Sequence, residues 1–383
     1  MKISISFHNR FWSFNLAREM FRHGVLSQFI TSYPKFAVAR YGIPRNITVS
    51  LPSNEVLRRA WQYLPVSLKP GWNLQFFLNE RFDRLAAARL RPGADIFDGL
   101  SSCSLQTLRR AKTFGMIGII ERGSSHILHQ QQIINEEDEK LGMKTNQTHP
   151  MIIEKELNEY SEADYIYVPS NFVKKTFLAQ GVPEDKLIHV PFGVDLEEFY
   201  PVQRKNNTFR VIHCGALSLR KGVHYLLQAF AELRLPNSEL WLVGGVKDEI
   251  VPFLKRYKAD NVIVHGSKPQ AELRKYYSQA DVFCLASLEE GLAMVQAQAM
   301  ACGLPVICTE NTGGSDIITD GREGFIVPIR DLKALQEKIV WAYENREECK
   351  SMGKAARLKV SRDCTWEYYG KNMLEAYRRI ITS

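Results

Sequence analysis

Short apolar runs of four to six residues recur along this chain, each separated from the next by a longer amphipathic stretch, and this alternation limits the fold more than any other feature. A strand buried on both faces reads as a continuous apolar run, and a helix must carry the chain back before the next parallel strand begins. The pattern therefore predicts β-α units around parallel sheets. Strands are expected at 2–7, 94–97, 116–121, 165–169 and 187–191, then at 209–214, 240–243, 262–265, 282–286, 305–309 and 325–328. The clearest helices are expected at 221–233, 271–279, 292–301 and 332–344. No unit repeats at a fixed short period and no low-complexity run occurs, which removes solenoid and linker architectures.

The pattern lapses at 191–208, PFGVDLEEFYPVQRKNNT, where two prolines, a glycine and a polar close fit a connector. A chain of 383 residues is more than one hydrophobic core usually serves, so the expectation is an α/β protein of two Rossmann-like domains, 1–195 and 205–360, facing across a cleft. The longest uncharged stretch, 291–309, has 19 residues, but Gln296, Gln298, Gly303 and Pro305 interrupt it. It reads as a buried helix and a buried strand, not as a membrane span. Seven scattered cysteines without a Cys-x-x-Cys pair are expected to be reduced, buried fillers. Asn9, Arg10, Asn15 and Arg18 interrupt any apolar run of signal-peptide length at the start, so a cytoplasmic location is expected.

Charge is unevenly placed. Residues 1–91 carry 14 Lys or Arg against 4 Asp or Glu, whereas the remaining 292 carry 36 against 38, so the net +8 belongs to the first quarter. Within it, 55–90 interleaves bases with aromatics: Arg58, Arg59, Trp61, Tyr63, Lys69, Trp72, Phe76, Phe77, Arg81 and Arg84. That is either an amphipathic surface helix pair or a lid. A solvated Arg-rich surface is the plain explanation, and an anionic membrane surface or an acidic substrate is the functional one. Nucleic acid is not expected, because no nucleic-acid-binding motif is present.

Ligands of open parallel sheets bind beyond the carboxyl ends of the strands, and three loops of the second half stand there. The first, GALSLRKG at 215–222, opens a helix. Arg220 and Lys221 beside a helix N-terminus, with glycines that admit backbone N–H groups, suit a diphosphate; a plain turn with two solvated bases is the alternative. The second loop is Glu289-Glu290-Gly291, whose acids could simply cap the next helix. Gln298, however, lies eight residues beyond Glu290, about 12 Å along a helix, close to the span from a ribose to a sugar across a diphosphate. The third, ENTGGSD at 310–316, carries Gly313 and Gly314, a pair that could cradle phosphate or a sugar hydroxyl.

In these segments the chain resembles glycosyltransferase family 4, the retaining nucleotide-sugar transferases of the GT-B fold. The match is carried by SLEEGLAMVQAQAMACGLPVICTENTGGSDIITDGREGFIVP at 287–328, VPFGVDLEEFYP at 190–201, GALSLRKGVHYLLQAF at 215–230 and ADYIYVPSNF at 163–172. It is strong over most of 160–380 and loose over the first 130 residues. The resemblance implies that Glu290 touches the donor sugar, that position 298 holds the nucleotide ribose and that Lys221, with Arg220, neutralises the diphosphate. Gly291, Leu292 and Ala293 would offer backbone N–H groups to sugar and phosphate, with Gly313 and Gly314 on the same donor side. The family often has a histidine on a loop after a middle strand of the N-terminal domain. His126 in ERGSSH is the candidate, and one polar loop residue among many is the alternative. Glu290, His126 and Lys221 are thus the expected catalytic group, and Arg10 and Arg122 are placed on the acceptor side. The tail, 366–381, would cross back to the N-terminal domain, with donor bound by the C-terminal domain and acceptor by the N-terminal one.

Three departures qualify the transfer. Gln298 stands where the family usually has Glu, and can serve one ribose hydroxyl but not take two as a carboxylate does. Ala216 stands where an arginine is usual, so Arg220 would take over its charge. His8-Asn9-Arg10 replace a glycine-rich turn after the first strand, leaving Arg10 to face an acidic acceptor or the donor phosphate. No Asp-x-Asp occurs, so no metal and no other cofactor is expected; Arg220, Lys221 and helix dipoles would hold the diphosphate. The implied function is front-face transfer, with retention, of a sugar from a nucleotide-diphosphate sugar to a glycan or lipid-linked acceptor. The setting would be bacterial polysaccharide or glycolipid synthesis, peripheral to an anionic inner membrane surface. The rivals are a catalytically silent nucleotide-sugar-binding subunit and a GT-B epimerase or phosphorylase, which would lack the 287–328 stretch.

Overall fold

The computed structural model describes residues 1–10, 12–63, 73–145 and 147–382. Thirteen strands form among them, all paired in parallel: β1 Ile3–Phe7, β2 Leu26–Thr31, β3 Thr48–Ser50, β4 Ile96–Leu100, β5 Ile117–Glu121, β6 Tyr165–Val168, β7 Leu187–His189, β8 Phe209–Cys214, β9 Ser238–Val243, β10 Val262–Val264, β11 Val282–Leu285, β12 Val306–Thr309 and β13 Gly324–Val327. The first seven make one sheet in the order β3-β2-β1-β4-β5-β6-β7, and the other six a second sheet in the order β10-β9-β8-β11-β12-β13. Each order reverses direction once, between β1 and β4 and between β8 and β11. At such a switch point neighbouring loops part and leave a crevice at the carboxyl ends.

The sequence expectation is corrected in places. β2 and β3 had no counterpart in it, and β4 begins at Ile96 instead of residue 94. The helix expected at 292–301 starts at Met294, and that expected at 271–279 is Leu273–Tyr277 behind a short turn of 3-10 helix. The basic-aromatic stretch is a helix pair, Ser53–Tyr63 and Leu74–Ala87; Lys69 and Trp72 lie outside the described residues.

One continuous core fills the N-terminal domain and runs on to the facing side of the second sheet, and a separate core lies on that sheet's far side under helices Val223–Leu233 and Leu332–Glu344. The chain passes between the domains twice, side by side. The connector meets the returning tail where Val194 N–H donates to Cys364 O at 2.8 Å. A Cβ on Gly193 would come within 2.5 Å of Trp366 N, so only glycine permits this approach. The final helix, Trp366–Thr382, buries Trp366, Tyr369, Met373, Leu374 and Tyr377 against the N-terminal domain. Burial of apolar side chains of that size is worth roughly 1.5–3 kcal/mol each. No helix among the described residues is long and apolar enough to cross a membrane.

Candidate functional site

The loop after β8 turns sharply into helix Val223–Leu233 because its N-cap, Gly222, sits at φ +62°, and a Cβ there would lie 1.7 Å from Ala286 O. That turn aims Arg220 and Lys221 at the loop after β11. Lys221 Nζ pairs with Glu290 Oε1, and Arg220 Nη1 lies 3.1 Å from Glu289 Oε2 and 3.7 Å from Glu290 Oε2. Burial lowers the Lys221 ammonium pKa more than Glu290 restores it. For Arg220 burial also pulls down, but Glu290 and Glu289 outweigh it and the guanidinium ends above its ordinary value. Glu289 is pushed up by burial and down further by Arg220, Ser124 and Ser125, to about 2, so it is ionised at neutral pH.

Neither acid caps the helix that follows. Residues 290–293 are non-helical, because Glu290 N–H donates to Asn311 O at 2.9 Å and Ala293 N–H to Thr312 O at 3.2 Å, which ties this loop to the third one. The helical ruler from Glu290 to Gln298 therefore fails: only the last four of its eight steps lie in the helix Met294–Ala301. Ala293 is also removed from the expected N–H donors, whereas the N–H groups of Gly291 and Leu292 make no bond among the described residues. The Gln298 Oε1 accepts from Tyr277 OH at 3.3 Å, which leaves its amide N–H groups to face a ligand.

Gly313 and Gly314 are packing residues in this geometry. A Cβ on Gly313, at φ +71°, would stand 2.5 Å from Gly291 O, and one on Gly314 would stand 2.4 Å from Cys308 Sγ. The smallness of Gly313 lets the third loop lie flat under the second, and that of Gly314 lets it pack on β12 and the helix Met294–Ala301.

Across the cleft, the loop after β5 meets the same acids. Ser124 Oγ donates to Glu289 Oε1 at 2.6 Å and Ser125 N–H to the same oxygen at 2.9 Å. A Cβ on Gly291 would sit 1.9 Å from Gly123 O, so the two loops touch. His126 caps helix Ile127–Leu141: its Nδ1 accepts the Leu128 N–H at 3.3 Å, which places the ring proton on Nε2. Burial, then Arg122 and His129, lower its pKa to about 4, so it is neutral at pH 7 and has a donor, not a lone pair, on Nε2. Arg122, expected on the acceptor side, is buried and engaged: Nε donates to Ser125 O at 3.0 Å, Nη1 to Glu156 and Nη2 to Gln130. It shapes the loop that carries His126. Arg10 does face the cleft, donating to Tyr41 OH at 2.7 Å and to Gln270 Oε1 at 3.0 Å on the other domain.

Two features escaped the sequence reading. A cavity of about 470 Å³ lies beside the phosphate-loop candidate, between Gly215, Ala216, Gly244, Gly245, Lys268 and Val295. The Gly-Gly pair after β9 was its available signal, since a Cβ on Gly244 would stand 1.7 Å from Gly215 O. A second latch closes the domains: buried Glu137 accepts from His224 Nε2, Tyr225 OH and Arg330 Nε, each at 2.8 Å. No local pattern in the sequence announces a contact between residues 87 to 193 positions apart.

Residues 196–359 match the family model described as glycosyl transferases group 1. Among curated proteins, the chain is similar to a GDP-mannose-dependent alpha-(1-6)-phosphatidylinositol monomannoside mannosyltransferase of Mycolicibacterium smegmatis, 27% identical over 242 residues, 56% of this chain and 62% of that one. It is also similar to a putative colanic acid biosynthesis glycosyltransferase, WcaL, of Escherichia coli, 26% identical over 197 residues, 48% of each. The chain thus spans about half to three-fifths of the length of these relatives. Among solved structures, sucrose-phosphate synthase from Thermosynechococcus elongatus superposes with a TM-score of 0.75 at 20% identity, covering 100% of this chain and 99% of that one. Together with the two facing parallel sheets, that likeness establishes the GT-B fold.

Proposed function

We propose that this protein is a retaining glycosyltransferase of the group 1, family 4 type, moving a sugar from a nucleoside-diphosphate sugar to a glycan or lipid-linked acceptor. The observation that carries the reading is the cluster at the carboxyl ends of β8 and β11. There two cations, two acids and two backbone N–H groups without a partner among the described residues lie against the His126 loop. The family match covers this region, and the relatives' names, a GDP-mannose-dependent mannosyltransferase among them, support that substrate class.

In this reading the diphosphate replaces Glu290 as the partner of Lys221 and Arg220, and the freed Glu290 carboxylate turns to the sugar hydroxyls. Gly291 and Leu292 N–H groups hold phosphate or sugar oxygens, the Gln298 amide holds the ribose, and the cavity beside Gly244 and Gly245 takes the base. His126 donates from Nε2 to the sugar. The bond from the anomeric carbon to the diphosphate oxygen breaks while the acceptor oxygen bonds to the same face, and the acceptor proton passes to the leaving diphosphate. Configuration is retained, and stabilisation of the developing diphosphate charge is the main rate term. The two cations supply that stabilisation, so the reading needs no metal.

Glu290→Ala tests it, read out by donor hydrolysis and transfer with GDP-, UDP- and ADP-sugars. The expected loss in turnover is about 100- to 1,000-fold, while nucleoside diphosphate affinity holds or rises because Lys221 is released. More than a tenth of wild-type turnover would return Glu290 to a structural role.

A peripheral membrane site for the reaction is the second part of the proposal. On the first helix of the basic quarter's pair, Val56 and Tyr63 are 63% and 88% exposed on the same helix as Arg58 and Arg59, which share Glu55 and so keep one net positive charge, the kind of surface an anionic interface favours. Co-sedimentation with anionic vesicles at low salt and release at high salt is the expected result, and a protein that stays in the supernatant with those vesicles removes this part.

A further inference from the structure

A cavity of about 910 Å³ opens between the domains beside the double crossing, with Gly193 and Trp366 on its wall. Asn15, Arg18 and Arg22, one face of helix Ser13–Arg22, line one side, joined by Arg10 and Arg40. Gln270, Met294 and Gln298 of the other domain line the opposite side, so the cavity adjoins the donor helix. Arg220, Lys221 and Glu290 are not on its wall. The cations proposed for the donor diphosphate are therefore a separate set.

The four arginines retain donors. Glu19, buried beneath them, accepts one bond from Arg18 Nε and one from Arg22 Nη1, both at 3.0 Å, out of five donors on each guanidinium. Among the described residues Arg10 donates only to neutral oxygens, those of Tyr41 and Gln270. Arg40 makes no hydrogen bond or ion pair among the described residues; its one contact of note is the Phe36 ring, 6.0 Å away. The two acids on the wall are already engaged: Asp195 Oδ1 accepts the N–H groups of Glu197 and Glu198, and Glu198 Oε2 accepts from Gln270. A large cavity walled by guanidinium groups with unspent donors is suited to an oxyanion, which such forks bind bidentately.

We propose that this cavity seats an anionic group of the acceptor, a phosphate or a carboxylate, between Arg10, Arg18, Arg22 and Arg40, a role that rests on the transferase reading above. Anchored there, the acceptor is held by its charge while a hydroxyl elsewhere on it reaches the sugar past Met294, and a neutral glycan lacks that anchor. Because Arg10 also reaches Gln270 of the other domain, the anion binds where the two domains meet.

The test uses the full chain saturated with a nucleoside diphosphate, titrated with inorganic phosphate or with acetate at constant ionic strength and followed by thermal shift. The comparison is with the Arg22→Gln/Arg40→Gln double variant, in which both side chains are exposed enough to spare the fold. One of the two anions should raise the wild-type melting temperature, and the double variant should weaken its apparent affinity about tenfold or more while nucleoside diphosphate affinity is kept. A shift from phosphate alone identifies a phosphate site and one from acetate alone a carboxylate site. Equal anion responses in wild type and variant overturn the proposal, as does loss of nucleoside diphosphate affinity in step with anion affinity, which gives these arginines to the donor. If wild type binds no nucleoside diphosphate, the transferase reading fails, and the anion titration alone still separates an arginine-dependent site from none.

Discussion

Acids lie buried at two places in this molecule, in contrasting company. Glu289 and Glu290 in the cleft are met by Arg220, Lys221, Ser124 and Ser125, and that company keeps Glu289 ionised despite burial. Asp98 on β4 and Glu121 on β5 lie fully buried beneath the final helix, with Tyr377 OH donating to Asp98 and Trp12 Nε1 to Glu121. No cation among the described residues reaches them. Burial pushes both pKa values up, and one oxygen of each, Asp98 Oδ1 and Glu121 Oε1, finds no donor among the described residues, so a proton shared between the two acids satisfies both. The same residue type is a fixed charge where a ligand must be handled and a proton-sharing, hydrogen-bonded pair where two pieces of chain must be joined.

Amide substitution separates the two states. Glu289→Gln removes the charge that balances Arg220 and should cost about 3 kcal/mol of stability, the lower end for breaking a buried pair because Arg220 is a third exposed. Chemical denaturation measures it, and a cost under ~1 kcal/mol would dissolve the contrast. Asp98→Asn removes no required charge and should change stability by about 1 kcal/mol or less below neutral pH. The pH dependence runs in opposite senses. Glu289, with its pKa lowered, contributes stability that is complete above the ordinary glutamate range and is lost as pH falls towards about 2. Asp98 and Glu121, with pKa values raised, hold protons in the folded state that the unfolded chain has released, so their contribution declines as pH climbs above the ordinary carboxylate range. Asp98→Asn should flatten that decline, and unchanged slopes in melts from pH 5 to 8 would refute it. The smallest effect is expected from Gln298→Glu, which adds an acid where Tyr277 OH is already a donor. Donor affinity should hold or improve, and a loss beyond about tenfold, ~1.4 kcal/mol, would show that the pocket depends on the amide.

The same contrast explains what was legible beforehand. Loops that follow apolar strands carry their residues locally, so Arg220, Lys221 and Glu290 could be placed beyond strand ends from the sequence, while the family resemblance supplied their roles and that of Gln298. The ruler from Glu290 along a helix went astray because the third loop takes up backbone groups of 290 and 293, a tertiary demand with no local trace. β2 was missed because LSQFIT is half polar. Its Gln28 is buried yet satisfied, donating to Arg89 O and accepting from Arg91 N–H, and an amide so engaged can sit in a strand that hydropathy does not mark. Glu289 reads as a cap until Ser124, 165 positions away, is folded against it. Arg122 reads as a free cation until Glu156 and Gln130 are seen to occupy it.

The paired crossing at Val194 and Cys364 has a mechanical consequence. A lone connector would let the domains both bend and swivel, whereas two strands of chain joined by a hydrogen bond act as a strap hinge, compliant to folding about one axis and stiff to rotation about the other. A protease cut in the stretch 201–208 would accordingly leave the protein in one piece. The severed half would still be moored by Trp366, Tyr369 and Tyr377, and the two fragments would part only when the final helix itself is melted away.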